Sequence, residues 1–465
     1  MSKSSPAAKN RYVCIPPGQV PGVSGLNTVG PDLRSSLMRK FLWPIMRAPW
    51  RFARLKDSPD GKDESIHSFA SRMLGEEMAT TVGSAIIHGI YAADSRQISA
   101  HSTLPFWSPK NRNRVLTNTQ SDIHSDVLQP IPNIGHLGDM LKDVSVYSFK
   151  RGSETLPRAL AQHLESRSNV QIFRSSPILN LLMRKDHTFE VRDISQFIRK
   201  YSLNHIYQLS YLTTHSTASS TIANPTHIVS ALPLPTFHRI TQPNSPYPYP
   251  ESQNIIPHLT ANSSSTVHVL NLIFPCPPCE VHPPGFGYLI PRPQEGYPSE
   301  SSDEQPGILG VVFDSCSTSQ QDEPGNNTSP EEWYTQGSHT KITVMLGGPY
   351  PLYIPPSVPT TSPPQTSLPT PLPHSIQIIL NHISQHLSRR TLPKPIYYRL
   401  WRNESCIPTY EVGHLERMRE MRGVLRKSVC EGGFGGKVEV VGAGVGGVSV
   451  SDCVLAGRNV GMGWL

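Results

Sequence analysis

The sequence predicts a mixed α+β protein, and three observations carry that reading. Apolar, β-branched runs recur at Ile178–Met183, Thr226–Leu232, Gly287–Ile290, Ile308–Phe313 and Ile342–Leu346. Helical periodicity lies between and around them. It is cleanest where Ile66, Phe69, Ala70, Met73 and Leu74 fall at i, i+3, i+4, i+7 and i+8. The 46 prolines among 465 residues exclude a coiled coil or an all-helical bundle, because each interior proline removes a helix hydrogen bond.

In chain order, residues 1–32 read as loop or short strand. Residues 33–56 mix cations with Phe41, Trp43, Trp50 and Phe52, and Pro44 and Pro49 are expected to split them into short helical pieces. The Ile66–Leu74 helix closes at Gly75, and a second helix runs from about Glu76 into Ile86 and Ile87. Val144–Phe149 reads as a strand. Thr155-Leu-Pro157 opens a helix with proline in its first turn and Leu160 and Leu164 on one face. Val170–Phe173 reads as a further strand. The proline-rich inserts 314–338 and 349–373 are expected to be disordered surface loops. Ile376, Ile379, Leu380, Ile383 and Leu387 make another amphipathic helix. A strand at Ile396–Trp401, a helix from about Val412 to Arg426, a strand at Lys437–Val441 and a last helix from about Ser451 complete the chain.

The net charge of +7 is local. Seven cations (Arg34, Arg39, Lys40, Arg47, Arg51, Arg54 and Lys56) lie in 33–56 without one acid, and they equal the whole excess. A global nucleic-acid signature is therefore not expected. Aromatics with arginines also suit single strands, but the composition favours an interfacial element, with rings in the headgroup boundary and cations on anionic lipid. Prolines are uneven too, 28 of them between Ala231 and Ser375. Seven cysteines form an odd, sparse set and not a disulfide framework. No apolar run is long enough to span a bilayer, and the N-terminus has no secretory signal.

Few motifs carry chemistry alone. Gly442-Ala-Gly444-Val-Gly446-Gly447 contains G-x-G-x-x-G after a predicted strand, but too little chain follows for a complete dinucleotide-binding unit. It reads either as a plain strand-to-helix turn or as a turn bringing backbone N–H groups to a ligand. Cys276-Pro-Pro-Cys279 has no second pair to make a zinc site, and no metal is expected. His88, His163, His382 and His414 stand apart in sequence and read as packed or solvated histidines.

Separate stretches nevertheless resemble one family. Asp63-Glu-Ser-Ile-His-Ser-Phe-Ala-Ser-Arg-Met-Leu-Gly-Glu-Glu77, His88-Gly-Ile-Tyr-Ala-Ala-Asp94 and Arg96-Gln-Ile-Ser99 resemble the protoporphyrinogen oxidases. So do Tyr147-Ser-Phe-Lys150 with Thr155-Leu-Pro157, Gly285-Phe-Gly-Tyr-Leu-Ile-Pro291, Leu309-Gly-Val-Val-Phe-Asp-Ser315 and Thr343-Val-Met-Leu-Gly-Gly348. Cys406-Ile-Pro-Thr-Tyr-Glu-Val-Gly-His-Leu415 and Gly446-Gly-Val-Ser-Val-Ser-Asp-Cys453 extend the likeness to the end, in the family's order.

The resemblance implies FAD-dependent, six-electron oxidation of protoporphyrinogen IX to protoporphyrin IX, with molecular oxygen as acceptor and hydrogen peroxide as by-product. It implies a monoamine oxidase-like flavoprotein fold: a discontinuous FAD domain, a mixed-sheet substrate domain and a helical membrane-binding domain. The expected division is 1–32 as the start of the substrate region and 33–142 as the membrane-binding domain. Residues 143–232 and 403–465 would supply FAD-domain segments, and 233–402 the substrate domain. Arg11, in Asn10-Arg11-Tyr12, matches an arginine that pairs with a porphyrinogen propionate, a carboxylate suited to a guanidinium fork. Leu289 and Met345 match apolar positions sandwiching the macrocycle. Ile178, Val448, Ser449, Val450 and Trp401 match flavin-side positions. The catalytic chemistry belongs to the flavin, so no side-chain acid or base is assigned. A homodimer, a contact with ferrochelatase and a peripheral place on the mitochondrial inner membrane, on its intermembrane-space side, are implied in the same way. No nucleic-acid partner is.

Departures shape the expectation. The family's opening strand, G-x-G-x-x-G turn, helix and ribose-binding acid have no counterpart ahead of Arg11. Ala92-Ala93-Asp94 stands where the family has a glycine-containing turn, and Arg151-Gly152 where it has paired glycines. The reading is an oxidoreductase recorded from an incomplete start. Its alternative is a flavin-free paralogue binding porphyrin or membrane without turnover.

Overall fold

The structure is a computed structural model. It describes residues 2–30, 34–54, 63–103, 136–149, 152–174, 178, 182–183, 189–190, 208–211, 220–223, 225–241, 256–318, 330–362, 371–389, 391–428, 431 and 433–463. Their strands, in chain order, are β1 Tyr12–Val20, β2 Val23–Thr28, β3 Leu182–Met183, β4 Phe189–Glu190, β5 Gln208–Tyr211, β6 Ser220–Ala223 and β7 Ile228–Ser230. Then follow β8 Ser264–Phe274, β9 Gly287–Leu289, β10 Ile308–Val312, β11 Thr340–Gly347, β12 Tyr397–Pro408 and β13 Val438–Val440. Two compact units form: Met1–Thr155 with Ser264–Val412, and Leu156–Ser263 with Gly413–Leu465.

The first unit is built on a mixed seven-stranded sheet, ordered β12-β8-β11-β10-β9-β1-β2. All its neighbours are antiparallel except β1 and β9, which run parallel. Because side chains alternate across a strand, each face is set by register. One face carries Tyr288, Val311, Val344, Leu270 and Leu400, packed on Ile376, Ile379, Leu380 and Ile383 of the His374–His386 helix. That helix presents the apolar stripe its periodicity predicts. The opposite face at β1 carries Val13 and Ile15, which pack with Leu37, Phe41, Val82 and Ala85 from the helical segments after β2.

Those segments depart from expectation at Pro44 and Pro49. One helix, Ser36–Arg54, runs through both prolines. Its anchors explain the continuity. Leu37 and Phe41, one turn apart, are buried, and Arg51 Nη1 donates to the Met73 carbonyl at 3.1 Å. Tertiary contacts thus hold a helix that two missing N–H groups weaken. Phe41 is accordingly core and not exposed, while Trp43 and Trp50 are 61% and 71% exposed; the side chain of Phe52 lies outside the described residues. The Ile66–Leu74 helix is as predicted, with the Ser65 hydroxyl accepting from Ser68 N–H and Gly75 at the C-cap. Beyond it the chain makes Glu76–Met78, a π-turn Ala79–Gly83 and the helix Ser84–Tyr91.

Residues 2–30, read as loop or short strand, form a hairpin, β1 with β2, after a short Pro6–Lys9 helix. Other expectations fail for identifiable reasons. Val144–Phe149 is no strand: Val144 makes one isolated bridge with Ser2, and Tyr147 and Phe149 face solvent. Val170–Phe173 is irregular, with Ile172 and Phe173 exposed and, among the described residues, no strand paired with it. The described residues of the inserts, 314–318, 330–338, 349–362 and 371–373, are ordered. Asp314–Ser317 and Pro330–Gln336 are helical, and Trp333, Tyr350, Ile354 and Val358 are buried. Their aromatic and branched residues bury enough apolar surface to fix the backbone despite the prolines.

The second unit contains a parallel pair, β7 with β13, and a small sheet ordered β3-β4-β5-β6. Its core joins Leu234, Phe237 and Ile240 of the Leu234–Thr241 helix to Met418, Met421 and Leu425 of the His414–Arg426 helix, with Val438, Val440 and Val445. After β13 a glycine-rich turn leads into the Val450–Gly463 helix.

Candidate functional site

Register brings three of the sequence-predicted residues into one row. Val13 pairs with Leu289, Leu289 with Gly310, Gly310 with Met345, Met345 with Val269, and Val269 with Trp401. Paired residues share a face, so Leu289, Met345 and Trp401 lie on one side of the sheet, opposite the Tyr288–Val311–Val344–Leu270–Leu400 core. Two strand spacings, about 10 Å, separate Leu289 from Met345. Between them Gly310 has no side chain, and a Cβ there would lie 2.8 Å from a Leu289 methyl carbon and 2.7 Å from the Tyr288 carbonyl oxygen. A Cβ on Gly89, in the Ser84–Tyr91 helix, would likewise meet Leu289 at 2.8 Å. Leu289 is therefore held in a slot that exists only because both neighbours are glycine.

A polar row borders this apolar one. Gly287, Val312, Thr343, Asn271 and Arg399 are register partners across the same strands. Asn271 Nδ2 donates to Thr343 Oγ1 at 2.7 Å, and Thr343 Oγ1 donates to Asp314 Oδ2 at 2.6 Å. The Arg399 guanidinium lies 4.0 Å from the Trp401 ring centroid. Arg11, just before β1, is exposed, with its guanidinium 5.6 Å from the Phe286 ring centroid. Among the described residues it forms no ion pair, which leaves the fork open to an anion.

Met345 and Val269 also pack against Ala92, Val267, Leu309 and Tyr350, joined by Tyr297. A bulge in β10 turns Leu309 into this cluster. Beneath it is a buried polar network that one-dimensional reading misses. His88 Nδ1 lies 2.7 Å from the Ile290 carbonyl oxygen, and its Nε2 lies 2.7 Å from the Tyr297 hydroxyl. A carbonyl only accepts, so Nδ1 carries the hydrogen and the Tyr297 hydroxyl donates to Nε2. Burial pushes the His88 imidazole down to about 4, against an opposing pull from the Ile290 hydrogen bond and Asp94. Burial likewise pushes the Tyr297 hydroxyl far up. Asp94 itself is buried, clamped by Arg96 at 2.6 Å and facing Arg292 at 3.6 Å. His88 is thus packed, as its isolation suggests; only the nearby Asp94-x-Arg96 spacing hints at the network.

The remaining cofactor-side residues fall in the second unit. Ile178 is half-buried against the Leu234–Met418 core. Val448 is half-buried, Ser449 exposed and Val450 67% exposed, at the start of the Val450–Gly463 helix. Trp401 belongs to the first unit. Whether a flavin suits these residues is answered by the turn: Gly446 is exposed and a Cβ there would meet nothing within 4 Å, so bare backbone is open to a planar ring. Nothing at Gly446 blocks a planar ring from the turn. At Ser449, however, the Asp452 carboxylate already takes the backbone N–H at 3.1 Å and the hydroxyl at 2.7 Å, so an added phosphate would compete with it.

The architecture is a mixed helix-and-strand fold carrying a mixed seven-stranded sheet, and the proteins that the chain is similar to are oxidases. The particular likeness is to protoporphyrinogen oxidases. The chain is 27% identical over 478 residues to the Schizosaccharomyces pombe protoporphyrinogen oxidase, covering 99% of this chain and 79% of that protein. It is 26% identical over 467 residues to the human one, covering 98% and 78%. A solved structure from Exiguobacterium, provisionally named for the same enzyme, superposes with a TM-score of 0.57 at 14% identity over 98% of this chain and 80% of that one. No family model matches the chain.

Proposed function

We propose that this chain carries out FAD-dependent oxidation of protoporphyrinogen IX to protoporphyrin IX with oxygen as acceptor; its relatives are named as protoporphyrinogen oxidases. The observation that carries the reading is the Leu289–Gly310–Met345 row. Leu289, its methyl seated over Gly310, and Met345 two strands away line one side of the sheet, an apolar bed for a flat tetrapyrrole. Arg11 binds a propionate and orients the ring. Leu289 and Met345 exclude water from its faces. When bound, FAD supplies the electron acceptor that oxygen regenerates, and Ile178 and Val448–Val450, within the second unit, are the residues that would hold it.

The test uses the purified 465-residue chain reconstituted with FAD and given protoporphyrinogen IX in air. Protoporphyrin fluorescence and hydrogen peroxide should rise together above the spontaneous rate. Porphyrin binding without flavin uptake or turnover would assign the chain to the flavin-free alternative. In the active protein, Arg11→Ala should raise KM roughly ten- to a hundredfold, as a lost charge-assisted hydrogen bond implies, and leave FAD affinity unchanged. An unaltered KM removes Arg11 from the substrate.

The same reading includes a lipid surface as partner, at the mitochondrial inner membrane. It is supported by the Ser36–Arg54 helix, which exposes Leu42, Trp43, Met46 and Trp50 among Arg39, Lys40 and Arg47, with Arg47 stacked 4.2 Å from the Trp43 centroid. Among the described residues no helix is long and apolar enough to cross a membrane. Replacing both Trp43 and Trp50 by serine should weaken binding to phosphatidylserine-containing vesicles by about tenfold or more. Equal co-sedimentation of variant and parent would refute the interfacial role.

A further inference from the structure

We infer that His414 is a positioning residue for the glycine turn that presents Val448–Val450, acting as a fixed hydrogen-bonding strut and not as an acid or base. The inference rests on the flavin reading above for its consequence, but its geometry stands within the second unit alone.

The turn between β13 and the Val450–Gly463 helix contains Gly442, Gly444, Gly446 and Gly447. Gly442 and Gly447 have φ of 108° and 156°. Such a turn has few side chains to hold it, and glycine backbone loses the most freedom on ordering. Its buried tie is Val445, 4% exposed, whose N–H donates to the Gly442 carbonyl at 3.1 Å. The Val445 carbonyl accepts from His414 Nε2 at 3.1 Å.

His414 is itself 1% exposed and opens the His414–Arg426 helix after Gly413, whose φ is 85°. Since the Val445 oxygen can only accept, Nε2 bears the hydrogen, and in the neutral ring Nδ1 is left as an acceptor. Asn262 Nδ2 donates to that Nδ1 at 2.7 Å, and Asn262 Oδ1 accepts from Arg417 Nη2 at 2.8 Å. Arg417 lies one turn beyond His414 on the same helix. Arg417 Nη2 to Asn262 Oδ1, Asn262 Nδ2 to His414 Nδ1 and His414 Nε2 to the Val445 carbonyl form one chain, and the tautomer and ring plane are set from both ends. The strut ends three residues before Val448, so a turn freed at Val445 would no longer present Val448–Val450 in one place.

A glutamine can repeat the pattern, donating from Nε2 to Val445 and accepting from Asn262 through Oε1; an alanine cannot. In the full chain without cofactor, His414→Ala should speed amide hydrogen exchange of Val445–Ser449 by about tenfold or more, and His414→Gln should stay within about threefold of the parent. Titrated with FAD, followed by quenching of flavin fluorescence, the alanine variant should bind at least about tenfold more weakly and the glutamine variant close to the parent. Unchanged exchange in the turn of His414→Ala, with only a lowered melting temperature, overturns the inference and leaves His414 a core residue. Faster exchange in a chain whose parent takes up no FAD upholds the strut and removes the flavin reading instead.

Discussion

Lowering the pH from 7 to 5 at constant ionic strength should cost the folded first unit on the order of 6 kcal/mol, about 2 kcal/mol from each of three histidines, two of them buried and one half-buried. Burial holds His88, His282 and His386 neutral, each down at about 4 from the ordinary 6.5. Each is enclosed differently. His88 lies between the Ile290 carbonyl and Tyr297, with Asp94 pulling it up and Arg292 pushing it down. His282 stacks on Phe313 at 4.1 Å, with Nδ1 2.9 Å from the Pro283 carbonyl oxygen and Arg389 nearby. His386 Nδ1 meets the hydroxyl of the fully buried Tyr288 at 3.1 Å, and His382 adds a further push down.

Between about 4 and 6.5 the unfolded chain binds protons at these rings that the folded chain does not. Stability therefore rises with pH across that window, is complete above it, and is lost as pH falls. Chemical denaturation at several pH values between 5 and 7, above the range where most carboxylates titrate, isolates this contribution. His282→Phe, which keeps a ring against Phe313 and removes the titrating nitrogen, should flatten the dependence by about a third. A midpoint that does not move between pH 7 and 5 would show the histidines to be accessible to protons in the folded state.

Which parts of this molecule could be read in one dimension follows from where the information lies. The Ile66–Leu74 helix was legible because its apolar spacing, its Ser65 cap and Gly75 are all local. β8, the 11-residue strand next to the edge strand β12, was not. Both its faces are largely covered, so Thr266 to Phe274 shows no clean alternation, and prolines crowd its flanks. The prolines of the Ser36–Arg54 helix misled because the contacts that override them, Leu37 and Phe41 on Val13 and Ile15, are tertiary. At the site, Leu289, Met345 and Trp401 were each singled out by family resemblance, but their common row is a product of strand order and register. The slot made by Gly89 and Gly310 needs a helix and two strands to assemble before it exists. The His88–Tyr297 pair joins positions 209 residues apart, a distance no periodicity spans.

Asp94→Ala should destabilise the first unit by about 3–5 kcal/mol, since it strips the partner from a buried cation. Asp94 is 5% exposed and its carboxylate accepts from Arg96 N at 2.9 Å and from Arg96 Nε at 2.8 and 3.1 Å. Arg96 is half-open to solvent and would survive the loss. Arg292 would not: its side chain is 6% exposed, and its Nη1 has the Asp94 carboxylate at 3.6 Å but no hydrogen-bond acceptor. Its other contacts are neutral, Nη2 to Thr80 Oγ1 at 3.3 Å and backbone N–H to Ser84 Oγ at 2.9 Å. Without Asp94 a guanidinium stays in low dielectric with only a weak pull from the solvent-exposed Glu76 carboxylate. The attribution is testable by a second change. Arg292→Met in the Asp94→Ala background should recover much of the lost stability, because an apolar chain of similar length removes the stranded charge. Equilibrium unfolding in urea measures both. A loss below about 1 kcal/mol for Asp94→Ala, or no recovery in the double variant, would mean that the cost lies in the backbone turn at Ala92, which adopts φ of 46° just before Asp94, and not in the ion pair.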